Sequence, residues 1–261
     1  MSDKYIYPPY LVKTIAKVFE ISNIFLSRKL EADILKLFSN YDNFSRDEIY
    51  KQFRQILCGY NRIPELNNDF NTIRLDDRIK NIKDILEKIS VHPKTILDIG
   101  AGTGEIIYSL GEFYHISSNN LYAIDQKLSE TKNLTLLSYI DKQIPLPSHS
   151  VDVILLFSVI HHIPLSDRTI LLSEIKRLLS PTGAIIIREH DYDNDRNFLI
   201  FIDLVHIFWY IVGNEKEDGL FLMTRSETQL LFDTNNLKSE NYYPLSGPNP
   251  QKLYYEVYTH K

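Results

Sequence analysis

The first ninety residues carry apolar side chains at the spacing of one helix face. Segments 11–25 and 28–38 both follow this period, and Ser45 is placed to cap a third helix. The polar stretch 61–71 predicts a linker or loop. After it, residues 77–89 predict an amphipathic helix with isoleucine and leucine along one side.

From residue 94 onward, short apolar runs alternate with helical segments. Strands alternating with helices predict an α/β protein with a doubly wound, mostly parallel sheet. Tyrosine-rich runs on either side of a Ser-Gly-Pro-Asn-Pro turn predict an antiparallel hairpin that closes this sheet, which then has seven strands. The predicted strands are 95–99, 121–125, 134–139, 151–157, 184–188, 237–245 and 253–260, and the predicted helices between them are 105–113 and 167–179.

The most apolar segment, 198–213, is interrupted by Asp203 and His206. It is too short and too polar to span a bilayer, so it predicts a buried helix and no membrane partner. Residues 1–10 carry charges and prolines where a signal peptide needs an apolar run. The single cysteine, Cys58, excludes a disulfide framework and a cysteine-built metal cluster, and we expect a cytoplasmic protein.

The strongest chemical motif comes directly after the first predicted strand. The chain has only nine glycines, yet Gly100, Gly102 and Gly104 fall within five residues, directly before a helix. Glycines at such a turn allow positive φ and a close approach of a ligand to the backbone. Asp98 precedes them and would repel a pyrophosphate, whereas Asp125, at the end of the second strand, is placed to bind ribose hydroxyls. The pattern therefore predicts a ribose ligand without a pyrophosphate.

From about residue 77 to the end, the chain resembles the class I S-adenosylmethionine-dependent methyltransferases, in the small-molecule, type 11-like branch. The resemblance implies a Rossmann-like methyltransferase fold over residues 76–261 and leaves residues 1–75 as a helical extension, which we expect to cover the acceptor side. Four motifs carry it in the family's order: ILDIGAGTGEI (96–106), LYAIDQK (121–127), IPLPSHSVDVILLFSVIHHI (144–163) and LLSEIKRLLSPTGAIIIREHD (171–191).

The resemblance also implies S-adenosyl-L-methionine as the cofactor and the residues that would bind it. Asp98 would lie near its amino-acid end, Asp125 would bind the ribose, and Asp141 resembles the acid that meets the adenine amine. Ser158 would lie near the transferable methyl group. The full predicted cofactor set is Asp98, Gly100, Gly102, Gly104, Asp125, Gln126, Asp141 and Ser158.

Several methyltransferase subclasses are disfavoured by the residues after the fourth strand. Cys58 lies far upstream, where it cannot be the nucleophile of a cytosine C5 enzyme. The tetrad of RNA ribose methylation would need Asp and Lys where Ser158 and Glu189 stand. An amino-methylating motif is likewise missing there, and the Tyr-Pro-Pro-Tyr at 7–10 is expected to be an extended segment.

Glu189, His190 and Asp191 end the fifth strand, where a parallel sheet faces its ligand crevice. We expect them to line the acceptor pocket, and His190 could act as a base near neutral pH. Asp203 and His206 share one helix face and could join this pocket or a metal site. Hydrogen bonding that fixes the helix 198–211 to the sheet is the alternative, and we expect no metal.

Methyl transfer from a sulfonium is an in-line displacement, so positioning the acceptor can supply most of the catalysis.

The net charge of the chain is −5, with +2 over residues 1–90 and −7 over the rest. The acidic second part favours an O or N atom of a small-molecule acceptor. An RNA cap is the alternative enzyme substrate, because the first part is relatively basic, and a non-catalytic, methyltransferase-like binding subunit is the third possibility. The sequence predicts no oligomeric state.

Overall fold

The computed structural model describes residues 6–21, 28–59, 63–125, 133–139, 142–213, 219–245 and 249–261. The chain forms two compact units, one of Met1–Arg74 with Tyr192–Asp218 and one of Leu75–Asp191 with Gly219–Lys261. The second unit begins one residue before the predicted boundary at 76. The first unit also takes in Tyr192–Asp218, which we expected to belong to the methyltransferase domain.

The first unit is helical. Its helices are α1 (Tyr7–Ile21), α2 (Arg28–Ser39), α3 (Arg46–Cys58), the beginning of α4 (Ile63–Lys88) and α7 (Arg196–Gly213). As predicted, Ser45 caps α3, where its hydroxyl and the Glu48 side chain form a reciprocal capping box. By length and composition alone α7 could cross a membrane, but 67% of it is buried inside the protein, as in the core helix of a globular domain.

Two proline-containing segments differ from their predicted conformation. The Tyr-Pro-Pro-Tyr segment, expected to be extended, begins α1, and part of the predicted loop 61–71 lies in α4, which begins at Ile63. The prolines at 8, 9 and 64 all lie in the first turn of a helix, where the backbone N–H that proline lacks has no intrahelical partner. Proline there starts a helix rather than preventing one.

The second unit confirms the predicted doubly wound sheet of seven strands. The strand order is β3-β2-β1-β4-β5-β7-β6, with β7 antiparallel to both of its neighbours and the other pairs parallel. The strands are β1 (Ile96–Ile99), β2 (Leu121–Ile124), β3 (Thr135–Leu136), β4 (Val151–Phe157), β5 (Leu179–His190), β6 (Leu237–Pro244) and β7 (Leu253–His260); the helices among them are α5 (Glu105–Tyr114), α6 (Leu165–Leu178) and α8 (Arg225–Thr234).

Two strands differ in length from the prediction by more than one residue. β3 has two residues instead of six, and β5 begins at Leu179 because a register shift against β4 accommodates the Pro-Thr-Gly segment before Ala184. Both sheet faces are covered by apolar clusters, and α4 and α5 pack on one of them through residues such as Ile82 and Ile107. The buried parallel strands fix the loops at their carboxyl ends, where the candidate site lies.

Candidate functional site

The candidate site lies at the topological switch point of the sheet, where successive strands are added first on one side of β1 and then on the other. β1 pairs with β2 on one side and with β4 on the other, so the loops after β1 and β4 diverge from each other. Open α/β sheets bind ligands in the crevice at such a switch point. The glycine segment follows β1 here, and Ser158 follows β4.

The three glycines of the predicted cofactor loop all have left-handed backbone conformations, with φ of 74° at Gly100, 59° at Gly102 and 77° at Gly104. At Gly100 an added Cβ would lie 2.3 Å from Cγ2 of Val159, so this glycine is needed for packing. At Gly102 an added Cβ would meet nothing within 4 Å. The backbone at Gly102 therefore borders open space, as close approach by a ligand requires.

Asp125 lies just beyond β2, and its carboxylate accepts a hydrogen bond from the Gly102 N–H over 2.8 Å. The backbone N–H groups of Gly100 and Ala101 both donate to the carbonyl of Ile124, at 2.8 and 3.1 Å. The glycine loop is thus attached to the end of β2. A carboxylate accepts several hydrogen bonds, so Asp125 could hold this loop and bind a ribose hydroxyl together.

Asp98 is a buried carboxyl group of β1 that lacks a hydrogen-bond or ion-pair partner among the described residues. It is only 2% exposed, and among the residues that the structure describes its carboxylate has neither a hydrogen-bond donor nor an ion-pair partner within 4 Å. Burial raises its pKa from 3.8 to about 8, an effect that Arg78 opposes and Asp125 reinforces. Buried carboxylates are normally paired, so the environment of Asp98 is suited to binding a cationic ligand.

Arg78 lies near Asp98 without forming an ion pair to it, and Arg188 lies near Arg78. Burial and the nearby charge of Arg188 lower the pKa of Arg78 to about 9, while Tyr255 and Asp98 oppose this shift. Arg78 belongs to α4, and Arg188 pairs with Tyr255 in the β5–β7 register. Arg78 is not among the residues predicted from the sequence, because nothing there distinguishes it from the exposed lysines of the same helix.

Ser158 and Arg188 are bonded to each other at the ends of β4 and β5. The Ser158 N–H donates to the Arg188 carbonyl over 2.8 Å, and Nη1 of Arg188 donates to the Ser158 hydroxyl over 3.1 Å. Ser158 also has a positive φ of 58°, which is uncommon for a residue with a side chain. The serine hydroxyl is thereby oriented by the arginine.

Glu189, a predicted catalytic residue, is buried and already bonded. It accepts from the N–H groups of Val159 and Ile160 at 3.1 and 2.9 Å, and its other oxygen contacts Nδ1 of the buried His161. Burial raises the pKa of Glu189 and lowers the pKa of His161, so both groups favour their neutral forms. Its bonds hold the loop after β4, and its catalytic role stays a prediction.

His190 and Asp191, the other two predicted catalytic residues, also have partners. Nδ1 of His190 donates to the Gln251 carbonyl over 2.7 Å, and burial with the nearby His161 lowers the pKa of His190 to about 3. A neutral imidazole with so low a pKa is a weak base at pH 7. Asp191 accepts from the backbone N–H of Arg225 over 2.8 Å. Their roles in the reaction stay predictions.

The remaining predicted residues divide into two groups. Gln126 and Asp141 lie outside the described residues. Asp203 accepts hydrogen bonds from the Tyr41 hydroxyl and from Nε of Arg46, while Nδ1 of His206 donates to the carbonyl of Ile202. The two bonds to Asp203 fix α7 within the helical unit, whereas the bond of His206 lies within α7 itself, so a role of either residue in the pocket stays a prediction.

Comparison with known proteins agrees with this geometry. Residues 97–187 match the family model of a methyltransferase domain. A comparison with curated proteins finds no match. The matched segment begins within β1 and ends within β5, so it contains the glycine loop, Asp125 and Ser158.

Solved structures share the fold at low sequence identity. The PH0226 protein of Pyrococcus horikoshii OT3 is similar with a TM-score of 0.54 and 16% identity, over 78% of this chain and 99% of that one. A candidate O-methyltransferase of Nostoc punctiforme PCC 73102 has a TM-score of 0.51 and 14% identity, over 82% and 60% of the two chains. A SAM-dependent methyltransferase of Aquifex aeolicus has a TM-score of 0.49 and 18% identity, over 74% and 96%.

The family match over residues 97–187 and the seven-stranded sheet agree with the resemblance inferred from the motifs: this part of the chain is similar to the methyltransferase domain of S-adenosylmethionine-dependent enzymes.

Proposed function

We propose that this protein transfers a methyl group from S-adenosylmethionine to an O or N atom of a small-molecule acceptor. The observation that carries the proposal is Asp98, a buried carboxylate without a described partner, beside a loop whose Gly102 faces open space. A methyltransferase-like binding subunit that had lost its cofactor would have no use for a carboxyl group whose ionised form is so unfavourable.

The residues present fit the cofactor. Asp98 would pair with its ammonium group, and Arg78 would pair with its carboxylate. Asp125 would accept the ribose hydroxyls while it holds the glycine loop through Gly102. Gly102 would let the loop backbone approach the cofactor closely, because no Cβ occupies that space.

When bound, S-adenosylmethionine supplies an electrophilic methyl group attached to a sulfonium. The chain's own part is to position the acceptor and to exclude water from it. Ser158, oriented by Arg188, would lie at the acceptor side of this site. No strongly basic histidine is needed if the acceptor atom loses its proton only after transfer.

The domain division at residue 75, the role of 1–75 as a cover and a cytoplasmic location remain parts of this proposal. The acidic charge of residues 91–261 and the lone cysteine support a small acceptor and a reducing compartment.

The test uses the intact chain and cofactor carrying a tritiated methyl group. We expect label in a fraction of small metabolites and none in capped RNA, and Asp125→Ala should lose the transfer. Asp84→Ala removes an exposed carboxylate of α4 and serves as the control. Label in RNA alone would assign the acceptor to RNA, and failure to bind the cofactor would leave only the binding-subunit alternative.

A further inference from the structure

Arg188 is a cation of the site to which the proposed cofactor contacts assign no anionic partner. Among the residues that the structure describes, no carboxylate lies within ion-pair distance of its guanidinium, which has the hydroxyl of Ser158 and the side chain of Tyr255 as hydrogen-bonding neighbours. The residue after it, Glu189, is engaged by two backbone N–H groups and His161. The positive charge of Arg188 therefore has no direct counter-ion within the described part of the chain.

The strand register places Arg188 two strands away from Asp98, on β5. Asp98 is level with Leu155 of β4 and Ile186 of β5, so Arg188 lies two residues closer to the carboxyl edge, and on the same face of the sheet. On β7 it is level with Tyr255. Arg188 is thus separated by β4 from Asp98, which we assign to the amino-acid end of the cofactor, and it contacts Ser158, the residue after β4.

The charges of the site favour an anionic acceptor. S-adenosylmethionine carries a net positive charge, since its sulfonium and ammonium outnumber its carboxylate. Asp98 and Asp125 offset the ammonium and one further charge, and Arg78 is matched by the cofactor's own carboxylate. The single positive charge of Arg188 then remains, at a partly buried position where unmatched charge is unfavourable.

We propose that Arg188 binds a carboxylate of the methyl acceptor, with the Ser158 hydroxyl and Tyr255 beside it. This inference rests on the proposed function and narrows its substrate class to small carboxylic acids. A guanidinium presents paired N–H donors that match the two oxygens of a carboxylate. A phosphate monoester carries close to two charges and suits a site with more than one uncommitted cation.

The test measures ligand binding and not turnover. The intact protein, saturated with S-adenosylhomocysteine, is titrated with benzoate, phenylacetate and hexanoate, each against its primary amide, and with phenyl phosphate. We expect at least one acid to bind about tenfold or more tightly than its amide, and more tightly than phenyl phosphate. Arg188→Met should abolish that preference, and Arg188→Lys should retain part of it.

Calorimetry with S-adenosylhomocysteine separates the two proposals. Its affinity should stay within about twofold in both Arg188 variants, which also shows that they fold, and in the control Arg196→Met, which removes an exposed arginine. An acid preference that is absent in the wild type, or that survives in Arg188→Met, overturns the carboxylate inference alone. Failure of the wild type to bind S-adenosylhomocysteine overturns the proposed function and this inference with it.

Discussion

The backbone N–H of Gly102 donates a 2.8 Å hydrogen bond to the carboxylate of Asp125, which joins the glycine loop after β1 to the end of β2. The bond spans 23 positions of the chain and connects the two sequence motifs that are predicted to bind the cofactor. We propose two tasks for this one carboxylate, to shape the loop and to accept ribose hydroxyls.

Asp125→Ala should weaken S-adenosylmethionine binding by at least about tenfold, because the ribose bonds and the loop bond are lost together. Asp125→Asn keeps an oxygen for the Gly102 N–H, so its loss should be smaller than that of alanine. Isothermal titration calorimetry measures both, with Asp84→Ala as the control. Equal affinity in the wild type and Asp125→Ala would exclude Asp125 from the cofactor site.

Asp98→Asn should change how stability depends on pH. The folded-state pKa of Asp98, about 8, lies above its ordinary value of 3.8. The folded protein therefore holds a proton that the unfolded chain has lost, and the free energy of unfolding falls as pH rises from about 4 to about 8, by about 1.4 kcal/mol for each pH unit. Below pH 4 the contribution is complete.

Urea unfolding of both proteins at pH 5 and pH 8 tests this prediction. Asparagine does not titrate, so Asp98→Asn should gain stability relative to the wild type as the pH is raised, and it should bind the cofactor much more weakly. A parallel pH dependence in the two proteins would show that Asp98 is charged and paired in the folded chain.

The glycines at 100 and 102 should respond differently to alanine. Gly100→Ala combines a positive φ with a contact of 2.3 Å to Val159, so it should cost about 2–3 kcal/mol of stability. Gly102→Ala meets no atom within 4 Å and should cost only about 1 kcal/mol, yet its methyl group would enter the space we assign to the cofactor. Thermal unfolding and cofactor titration together should separate the two. Normal cofactor affinity in Gly102→Ala would mean that this space is not the cofactor's.

Substitutions of Glu189 distinguish a positioning role from a catalytic one. Glu189→Ala leaves the Val159 and Ile160 N–H groups without their acceptor and should cost about 2–5 kcal/mol. Glu189→Gln still offers an oxygen to them and should cost less. If Glu189 acts only through the loop, the methyl-transfer rate of Glu189→Gln stays within about tenfold. A fall of a thousandfold at unchanged stability and KM would instead support the predicted catalytic role.

The sequence predicted those features of the site that local chemistry encodes. Asp98, the three glycines and Asp125 follow apolar strands directly, so the motif and the strand pattern together located the switch point. Glycine at a position with positive φ is a local requirement of the chain, and it can be recognised without the fold.

Features that depend on contacts between distant segments could not be predicted in this way. Arg78 looks like any charged residue of an amphipathic helix, and only the packing of α4 brings it near Asp98. Arg188 is not among the predicted site residues, although it directly precedes Glu189. The face of the sheet that each residue of β5 occupies depends on its register with β4 and β7, and the sequence alone does not give that register. The bonds that engage Glu189 come from residues about thirty positions earlier in the chain.

The pairing of Asp98 with the ammonium group of S-adenosylmethionine underlies the whole proposal, and calorimetry of cofactor binding at pH 7 in phosphate and in Tris tests it. With a pKa of about 8 Asp98 is largely protonated in the free protein, and pairing with a cation should make it lose that proton. We expect micromolar affinity and the release of close to one proton, which the difference between the two buffers reports. Binding without proton release would contradict the role of Asp98, and no binding by the folded chain would contradict the proposed function itself.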